Sequence, residues 1–366
     1  MLRILFLLHE PFGSIGNAAS YFYPEYVSES AEVLVVSPPF AEGQSAVNLP
    51  KKATVHWLRP GNLLFRIAEI RNVINAFAPD IVHLVYNPRL LPCFLIDRLL
   101  TSSKRAWIAD IRSPLLAQGI TRQAARILTA ALLPQFSLVL THAEGSLGSY
   151  SISSRTPWRL LPPGVDTAAL KPRTYSPKIS RLVFIGSLTP QRNLDVLLNG
   201  FALLTQSFPS ITLDIFGDGP DRSRLEALCS QLRLTTQVKF RGLVLQEKLH
   251  ALLPAYDCGV GYVPQGDFDA APTLKVIEYA ASGLHIVASD TQFHRQWQKQ
   301  GMNLTLFRNT PEALAETVSK AVSSPISNPE IEHNIAFTHR YDWRRTTDEA
   351  LLPIYNDLLR HGEDSR

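Results

Sequence analysis

Short apolar runs rich in Val, Ile and Leu alternate along the chain with longer segments of helical spacing. In the first half the predicted strands are RILFLL, AEVLVVS, TVHWL, IVHLV, RAWIAD and SLVLTH, and LLFRIAEIRNVINAFA is a predicted helix. Continuous apolar strands separated by helices are typical of a parallel sheet that is covered on both faces. The pattern therefore predicts a doubly wound α/β domain.

The alternation stops after Leu160 and begins again at Arg181. Four prolines and no periodicity between Leu160 and Lys178 predict an interdomain linker. Beyond it the predicted strands are RLVFIGS, ITLDIFG, QVKFRG, DCGVGYV and HIVAS, and the predicted helices begin near Asn193, Pro220, Gln246 and Thr273. The last segment, YDWRRTTDEALLPIYNDLLRH, has the spacing of an amphipathic helix.

Two Rossmann-like domains follow from this pattern. We predict a first domain over 1–165, a linker over 166–180, a second domain over 181–342 and a C-terminal helix over 343–366 that packs back on the first domain. The opening MLRILFLLHE is too short for a signal peptide and is interpreted as the first strand. Two such domains imply a cleft between the carboxyl ends of two parallel sheets, where doubly wound folds bind ligands.

Composition and charge exclude several function classes. The 366 residues are 45% hydrophobic and 19% charged, as in ordinary globular proteins. Residues 1–175 contain 17 Lys and Arg against 11 Asp and Glu, an excess that is too small for nucleic-acid binding but suits a phosphate-bearing substrate or an anionic membrane surface. Three isolated cysteines, Cys93, Cys229 and Cys258, favour a reducing cytoplasm over a disulfide framework or a zinc site.

A glycine turn, FGSIGN, directly follows the first predicted strand. Gly13 and Gly16 either let the backbone approach a ligand at a helix N-terminus, which favours anions, or form a plain tight turn. Neither FGSIGN nor FGDGPD completes the G-x-G-x-x-G fingerprint. A dinucleotide-dependent dehydrogenase is therefore poorly supported.

The segment DAAPTLKVIEYAASGLHIVASD holds the richest set of candidate residues. Pro272 and Thr273 are typical of a helix start, and Lys275 and Glu278 share one helical face. A carboxylate on that face can bind both hydroxyls of a ribose, and the amides of Thr273 and Leu274 can bind a diphosphate. The alternative is a plain surface salt pair between Lys275 and Glu278.

Five segments in this order and spacing carry a resemblance to a known family. GSLTPQRNLDVLLNGFALL, FGDGPDRSRLEAL, VKFRGLV, AYDCGVGYVP and KVIEYAASGLHIVASD resemble the donor-binding domain of the retaining glycosyltransferases of family four, also called group one, which have the GT-B fold. PPGVDTAALKP resembles that family's linker, and RILFLL and APDIVHLV resemble its acceptor domain. The resemblance implies transfer of a sugar from a nucleoside diphosphate donor to a hydroxyl, with retained configuration and no required metal.

The same resemblance assigns roles to individual residues. Glu278 matches the glutamate that holds the ribose, and Arg192 matches the basic residue that holds the diphosphate. Gly13 and Gly16 match the glycine loop near the donor phosphates. The other positions assigned to the donor site and its base-binding surroundings are Gly186, Ser187, Gly217, Asp218, Gly219, Arg241, Pro272, Thr273 and Leu274.

Two positions depart from the family pattern. The first glutamate of the E-x7-E motif falls on Ala270, with Asp269 beside it, and the usual Arg after the strand glycine falls on Ser187. The segment Pro272–Tyr279 resembles a P-x-K-x-x-E-Y version that a subset of the family carries, with one more residue between the proline and the lysine, and Lys275 is expected to supply the charge that Ser187 lacks. These departures leave the identity of the sugar open.

In the first domain, WIADIRSP resembles the stretch where the family places a His or Asp of the catalytic cleft. Asp110 either orients an acceptor hydroxyl or accepts its proton, unless Asp110 and Arg112 are only a structural pair. The predicted catalytic residues are therefore Asp110, Arg112, Arg192 and Lys275. His142 is given no role.

The predicted partners are a nucleoside diphosphate sugar and a glycan or lipid-linked acceptor. Asp267 and Asp269 form a DFD in a loop rather than at a strand end, so neither a metal nor a cofactor is predicted. The helix ITRQAARILTAALLP carries Arg122 and Arg126 above an apolar face, and it either rests on the inner face of the cell membrane or covers a sheet.

We therefore predict a cytoplasmic glycosyltransferase that builds a cell-surface polysaccharide or glycolipid. Two alternatives share its fold. One is a catalytically silent sugar-nucleotide-binding partner of another transferase, which Ala270 and Ser187 favour. The other is a sugar-nucleotide epimerase, which product analysis separates from a transferase.

Overall fold

The protein consists of two compact units. The computed structural model describes residues 1–14, 18–42, 46, 48–100, 105–115, 119–150, 152, 154–266, 268–269 and 272–364. The first unit is Met1–Gly164 together with Trp343–Arg366, and the second is Val165–Asp342. Gly16, Asp267 and Ala270, which were singled out in the sequence, lie outside the described residues.

The first unit is built on a seven-stranded parallel sheet in the order β3-β2-β1-β4-β5-β6-β7. The strands are β1 Arg3–Leu7, β2 Glu32–Ser37, β3 Thr54–Trp57, β4 Ile81–Val85, β5 Ala106–Ile111, β6 Leu138–Thr141 and β7 Trp158–Leu160. The helices before the second unit are α1 Ala18–Val27, α2 Leu63–Phe77, α3 Leu91–Leu100, α4 Gly119–Leu132 and α5 Glu144–Gly148. All six predicted strands of this unit are confirmed, whereas the exposed, three-residue edge strand β7 was missed.

The second unit repeats this architecture with six parallel strands in the order β10-β9-β8-β11-β12-β13. They are β8 Arg181–Ile185, β9 Thr212–Phe216, β10 Val238–Gly242, β11 Cys258–Gly261, β12 His285–Ser289 and β13 Thr305–Phe307. The helices are α6 Asp195–Ser207, α7 Arg222–Gln231, α8 Gln246–Leu252, α9 Leu274–Ala281, α10 Gln292–Lys299, α11 Pro311–Ser323 and α12 Asn328–Thr338. The sequence predicted all of these up to β12.

Both sheets reverse their strand order once, between β1 and β4 and between β8 and β11. Because parallel crossovers are right-handed, such a reversal places helices on both faces of the sheet. Strands β4, β11 and β12 are buried at every residue, as sheets covered on two faces require. The predicted fold class, two doubly wound α/β domains, is confirmed.

Residues 166–180, the predicted linker, contain neither helix nor strand and belong to the compact second unit. The Arg173 guanidinium lies 2.7 Å from the Asp257 carboxylate, and the Arg173 amide donates to the Ser282 carbonyl at 3.0 Å. The same carboxylate accepts the backbone amides of Ser180 and Arg181, each at 2.8 Å. Contacts with a largely buried acid therefore hold this segment on the second unit.

The C-terminal segment lies on the first unit. It comprises α13 Trp343–Thr346, a π-helical turn at Thr347–Leu351 and α14 Leu352–Asp364. The Trp343 ring packs on Phe22 and Tyr23, and a Cβ at Gly164 would lie 2.2 Å from that ring. A side chain at 164 would therefore displace the tryptophan that anchors the segment.

Candidate functional site

Two glycine-containing loops run side by side at the carboxyl ends of β8 and β9. The Gly186 amide donates to the Phe216 carbonyl at 3.0 Å. A Cβ at Gly217, where φ is +136°, would lie 1.8 Å from the Gly186 carbonyl oxygen, and a Cβ at Gly219 would lie 2.2 Å from that of Leu188. The packing of loop against loop thus accounts for these glycines, and their predicted place beneath the donor base stays a prediction.

Arg192 ends a short 3-10 turn between β8 and α6. Its guanidinium lies 4.1 Å from the centre of the Phe268 ring. Burial lowers the pKa of Arg192 from its ordinary value, although an arginine stays protonated in proteins. In the part of the chain that the structure describes, no carboxylate pairs with this guanidinium.

Lys275 lies in the first turn of α9 and places its ammonium group beside the end of β8. Its Nζ donates to the Tyr262 carbonyl at 2.5 Å and lies 4.3 Å from the centre of the Phe184 ring. Burial, and then the positive charge of Arg192, lower the pKa of Lys275 well below its ordinary value. Two cationic side chains are therefore neighbours, and within the described ranges neither has a carboxylate partner.

Glu278 lies one turn further along α9. Its Oε1 is 3.4 Å from Nε2 of His250, and its side chain is 13% exposed. The Lys275 ammonium instead bonds the Tyr262 carbonyl, so Lys275 and Glu278 do not form the surface salt pair considered as an alternative. The helix thus presents an ammonium and a carboxylate that are not paired with each other.

The start of α9 is set by Pro272 and Thr273. Thr273 is the N-cap residue with φ −112° and ψ 104°, and its side chain makes no capping hydrogen bond. Among the described residues, no acceptor is bonded to the amides of Leu274 and Lys275. An uncapped first turn beside two cations has the character of an anion-binding site.

Three other predicted donor-site residues lie on exposed parts of the second unit. The Arg241 guanidinium contacts Asp214 Oδ2 at 2.9 Å, and this oxygen also accepts the Tyr256 hydroxyl at 2.6 Å. Asp218 accepts the amide of Gly219 at 2.8 Å, and Ser187 is exposed. Arg241 is therefore already engaged by a carboxylate, and its role in binding a base stays a prediction.

In the first unit, Asp110 is the centre of a buried polar cluster. Its Oδ2 lies 2.6 Å from Arg112 Nε and 3.1 Å from His83 Nε2, and Arg112 also donates to the Ser20 hydroxyl at 2.6 Å. Burial opposes ionisation of Asp110, but the Arg112 charge and the His83 hydrogen bond outweigh it and hold the pKa of Asp110 well below its usual range. Asp110 is therefore an ionised carboxylate that is 1% exposed.

Three residues in or beside this cluster, His83, His142 and Tyr355, had no role in the sequence-based prediction. Tyr355 of α14 lies 2.6 Å from His83 Nδ1, and His142 Nδ1 lies 2.7 Å from the Leu161 carbonyl. Burial lowers the pKa of both histidines, so both are neutral at physiological pH. The one signal for His83 is a polar residue in the middle of the apolar run IVHLV.

Gly13 follows β1 in the first unit. Its φ is +77°, and a Cβ there would lie 2.0 Å from the Asn48 carbonyl oxygen. Close approach to the backbone of Asn48 therefore explains why glycine is needed. A contact between Gly13 and donor phosphates stays a prediction.

A known protein family matches the part of the chain that carries the candidate donor site. Residues 179–324 match the family model described as Glycosyl transferases group 1. These residues belong to the group 1 glycosyl transferases. The family matched is the one that the five sequence segments resemble, so the predicted family is confirmed.

Relatives and solved structures extend this finding. The chain is 25% identical over 205 residues to a subunit of phosphatidylinositol N-acetylglucosaminyltransferase from Arabidopsis thaliana, and the match covers 55% of this chain and 44% of that protein. The chain thus spans less than half the length of this curated relative.

Sucrose-phosphate synthase from Thermosynechococcus elongatus superposes with a TM-score of 0.81 at 15% identity, over 99% of this chain and 100% of that one. Anabaena HepE in complex with UDP and glucose superposes with a TM-score of 0.75 at 16% identity, over 97% and 99% of the two chains. These likenesses show that the chain has the GT-B fold.

Proposed function

We propose that this protein transfers a sugar from a nucleoside diphosphate sugar to a hydroxyl of a glycan or lipid-linked acceptor, with retention of configuration. The observation that carries the proposal is the pair of neighbouring cations, Arg192 and Lys275, beside the uncapped start of α9. Arg192 lies in the turn that follows β8, and Lys275 lies in the first turn of α9, the helix that follows β11. The strand order of the sheet reverses between β8 and β11. Open α/β sheets bind their ligands at such a point.

The charges suit a diphosphate leaving group. When the bond between the sugar and the diphosphate breaks, negative charge grows on the phosphate oxygens. The guanidinium of Arg192, the ammonium of Lys275 and the amides of Leu274 and Lys275 are placed to stabilise this charge. Preorganised donors of this kind contribute roughly 3 kcal/mol each in a transition state.

Glu278 is proposed to bind the ribose hydroxyls. A carboxylate accepts two hydrogen bonds from a vicinal diol, and Glu278 is partly exposed on the helix that carries Lys275. The Nε2 atom of His250 lies 3.4 Å from Oε1 of Glu278. HepE, of the same fold, has been solved with UDP and glucose, which makes UDP the first nucleotide to test here.

Asp110 is proposed to position other groups rather than to accept a proton. Its pKa lies well below the usual range because of Arg112 and His83, so it is a weak base at neutral pH. The buried carboxylate instead holds the Arg112 guanidinium, which reaches Ser20. Arg112 is 13% exposed and is the member of this pair that an acceptor can contact.

A thermal-shift screen over UDP-, GDP- and ADP-sugars tests the donor proposal. A ligand at 100 times its dissociation constant stabilises a folded protein by about 2.7 kcal/mol. We expect one class of nucleotide sugar to raise the melting temperature and the sugar-free nucleotide to do so as well. A protein whose melting temperature is unchanged by all three classes at millimolar concentration would refute the proposed donor site.

A catalytically silent, sugar-nucleotide-binding subunit is the second candidate. The plant relative is named as one subunit of a transferase, and Ser187 stands where the family usually has an arginine. A donor-hydrolysis assay separates the two candidates, because transferases release nucleoside diphosphate slowly in the absence of acceptor. Tight binding without any release would favour the silent subunit.

Membrane contact through α4 and a role in cell-surface polysaccharide or glycolipid synthesis complete the proposal. Within the described residues, no helix has the length and apolarity needed to cross a membrane. Helix α4 nevertheless leaves Ile120 86% and Ile127 70% exposed. We expect the protein to sediment with vesicles containing anionic lipid and the Ile120→Ser/Ile127→Ser variant to stay in the supernatant; equal binding of both would remove α4 from the interface.

A further inference from the structure

Thr273 begins α9 without capping it. Helices α10 and α11 also begin with threonine, and there the side-chain oxygens of Thr291 and Thr310 accept the amides of the third helical residues, at 3.1 and 3.2 Å. Capping is the usual function of threonine at this position. At Thr273 the side chain makes no such bond.

The Thr273 hydroxyl is instead bonded to His294. Its Oγ1 lies 2.7 Å from His294 Nε2, and His294 Nδ1 lies 2.7 Å from the Ser289 carbonyl oxygen. A carbonyl oxygen only accepts, so Nδ1 carries the ring proton and Nε2 is the acceptor. The Thr273 hydroxyl therefore donates its proton to His294 and has none left for a phosphate oxygen.

The imidazole is a fixed acceptor. His294 is 0% exposed, its backbone amide donates to the Thr291 hydroxyl, and its ring stacks on Trp297 with centres 6.0 Å apart. Burial, and to a smaller extent the nearby charge of Lys275, lower the pKa of His294 to about 4. The ring is therefore neutral, with Nε2 free to accept, throughout the physiological range.

We propose that His294 is a positioning residue for the donor site: it holds the Thr273 side chain off the first turn of α9 and leaves the amides of Leu274 and Lys275 to an oxygen of the diphosphate. A capping hydroxyl would place its oxygen above those amides, in the position that an anion needs. This inference rests on the proposed function, since it names what keeps the proposed diphosphate site open. The resemblance to the family assigned Thr273 and Leu274 to the donor site but gave no role to His294.

The test compares two substitutions that separate the two ring nitrogens. His294→Asn keeps a donor near Nδ1 for the Ser289 carbonyl but removes the acceptor at Nε2, which frees Thr273 to cap. His294→Gln keeps an acceptor at the Nε2 position. Isothermal titration calorimetry with UDP, GDP and ADP first selects the nucleotide that the wild-type protein binds, and this nucleotide is the probe.

We expect His294→Asn to weaken binding of the probe about fivefold, roughly the effect of one capping hydrogen bond, and His294→Gln to restore most of it. The deciding comparison is made in a second background. In Thr273→Ala there is no hydroxyl to cap the helix, so adding His294→Asn should change the affinity less than twofold.

A loss of equal size in both backgrounds would overturn the inference, because His294 would then act only through the stability of the unit. A wild-type protein that binds none of the three nucleotides would instead refute the proposed donor site itself. The two failures are therefore distinguishable.

Amide hydrogen exchange of the wild-type protein tests the inference without any variant. The amides of Leu274 and Lys275 should exchange freely in the protein alone and become at least tenfold slower with the nucleotide bound. Protection of both amides in the unliganded protein, or no added protection on binding, would contradict it.

Discussion

At the scale of residues, the second unit holds a lysine whose charge is poorly stabilised in the free protein. Lys275 is partly buried beside Arg192 and bonded to a carbonyl oxygen rather than to a carboxylate. Buried ammonium groups without an anionic partner lose protons easily, because burial penalises the charged form. A bound diphosphate would reverse this penalty, which gives the site an electrostatic reason to bind anions.

Proton uptake should therefore accompany binding of a nucleoside diphosphate. The pKa of Lys275 is lowered in the free protein by burial and by Arg192, and a bound dianion would raise it again. Between these two pKa values binding takes up protons, so affinity falls as the pH rises through that window. Calorimetry with UDP in two buffers of different ionisation enthalpy measures the number of protons taken up.

Lys275→Met should abolish this uptake. The matched control is Lys320→Met, because Lys320 is an exposed lysine of the same unit that pairs with Glu316. Uptake that persists in Lys275→Met, or that is absent from the wild-type protein at every pH between 7 and roughly 10, the ordinary lysine pKa, would show that Lys275 does not face the anion.

At the scale of elements, α9 was predicted well because its sequence signals are local. Proline before a threonine and a glycine after the last turn mark its ends, and the structure gives Leu274–Ala281. Which groups its side chains meet depends on residues far along the chain. His250 beside Glu278 and His294 beside Thr273 come from other helices, so no spacing rule could have found them.

Glu278→Ala should weaken nucleoside diphosphate binding by about 1.5–3 kcal/mol, the range for hydrogen bonds to a charged group. The reason is that Glu278 is the carboxylate on the helix that carries Lys275, and the two side chains are not paired with each other. Glu316→Ala, which removes an exposed carboxylate of the same unit, serves as the control. Calorimetric affinities of Glu278→Ala within twofold of wild type would take Glu278 out of the site.

The C-terminal helix α14 supplies a further test within the first unit. His83 donates from Nε2 to the Asp110 carboxylate, so its Nδ1 must accept the Tyr355 hydroxyl. Tyr355→Phe leaves that buried nitrogen without a donor, and the free energy of unfolding should fall by about 1–3 kcal/mol in urea titrations.

Tyr175→Phe is the matched control, since the Tyr175 hydroxyl bonds a carbonyl that is only partly buried. A Tyr355→Phe protein that is no less stable than this control would show that the hydrogen bond to His83 contributes nothing.

At the scale of the whole molecule, the sequence predicted the architecture better than the sites. Alternation of apolar runs and helices reports the parallel sheets directly, and the two strands that it missed, β7 and β13, have three residues each. The polar cluster of the first unit was found only in part. Asp110 and Arg112 are two residues apart in sequence, whereas His83 and Tyr355 reach them through the fold.

Turnover should survive excess EDTA, because Arg192 and Lys275 supply the positive charge that a metal ion would otherwise provide. Asp267 and Asp269 were the metal candidates in the sequence, and in the described ranges no three His, Cys, Asp or Glu side chains form a group that could hold a metal ion. Activity lost in EDTA and restored by Mg²⁺ or Mn²⁺ would contradict this and return both acids to consideration.

The central claim is that the Arg192 region of the second unit drives departure of a nucleoside diphosphate, and the release rate of that product tests it most directly. In EDTA, with the nucleotide sugar that stabilises the protein, we expect Arg192→Ala to lower kcat/KM by about 10²–10³, the cost of losing one preorganised charge donor, and Arg192→Lys to recover part of it. Arg181→Ala, at the opposite end of β8, should behave as wild type. Near-normal release by Arg192→Ala would mean that the phosphate is held elsewhere and would contradict the account.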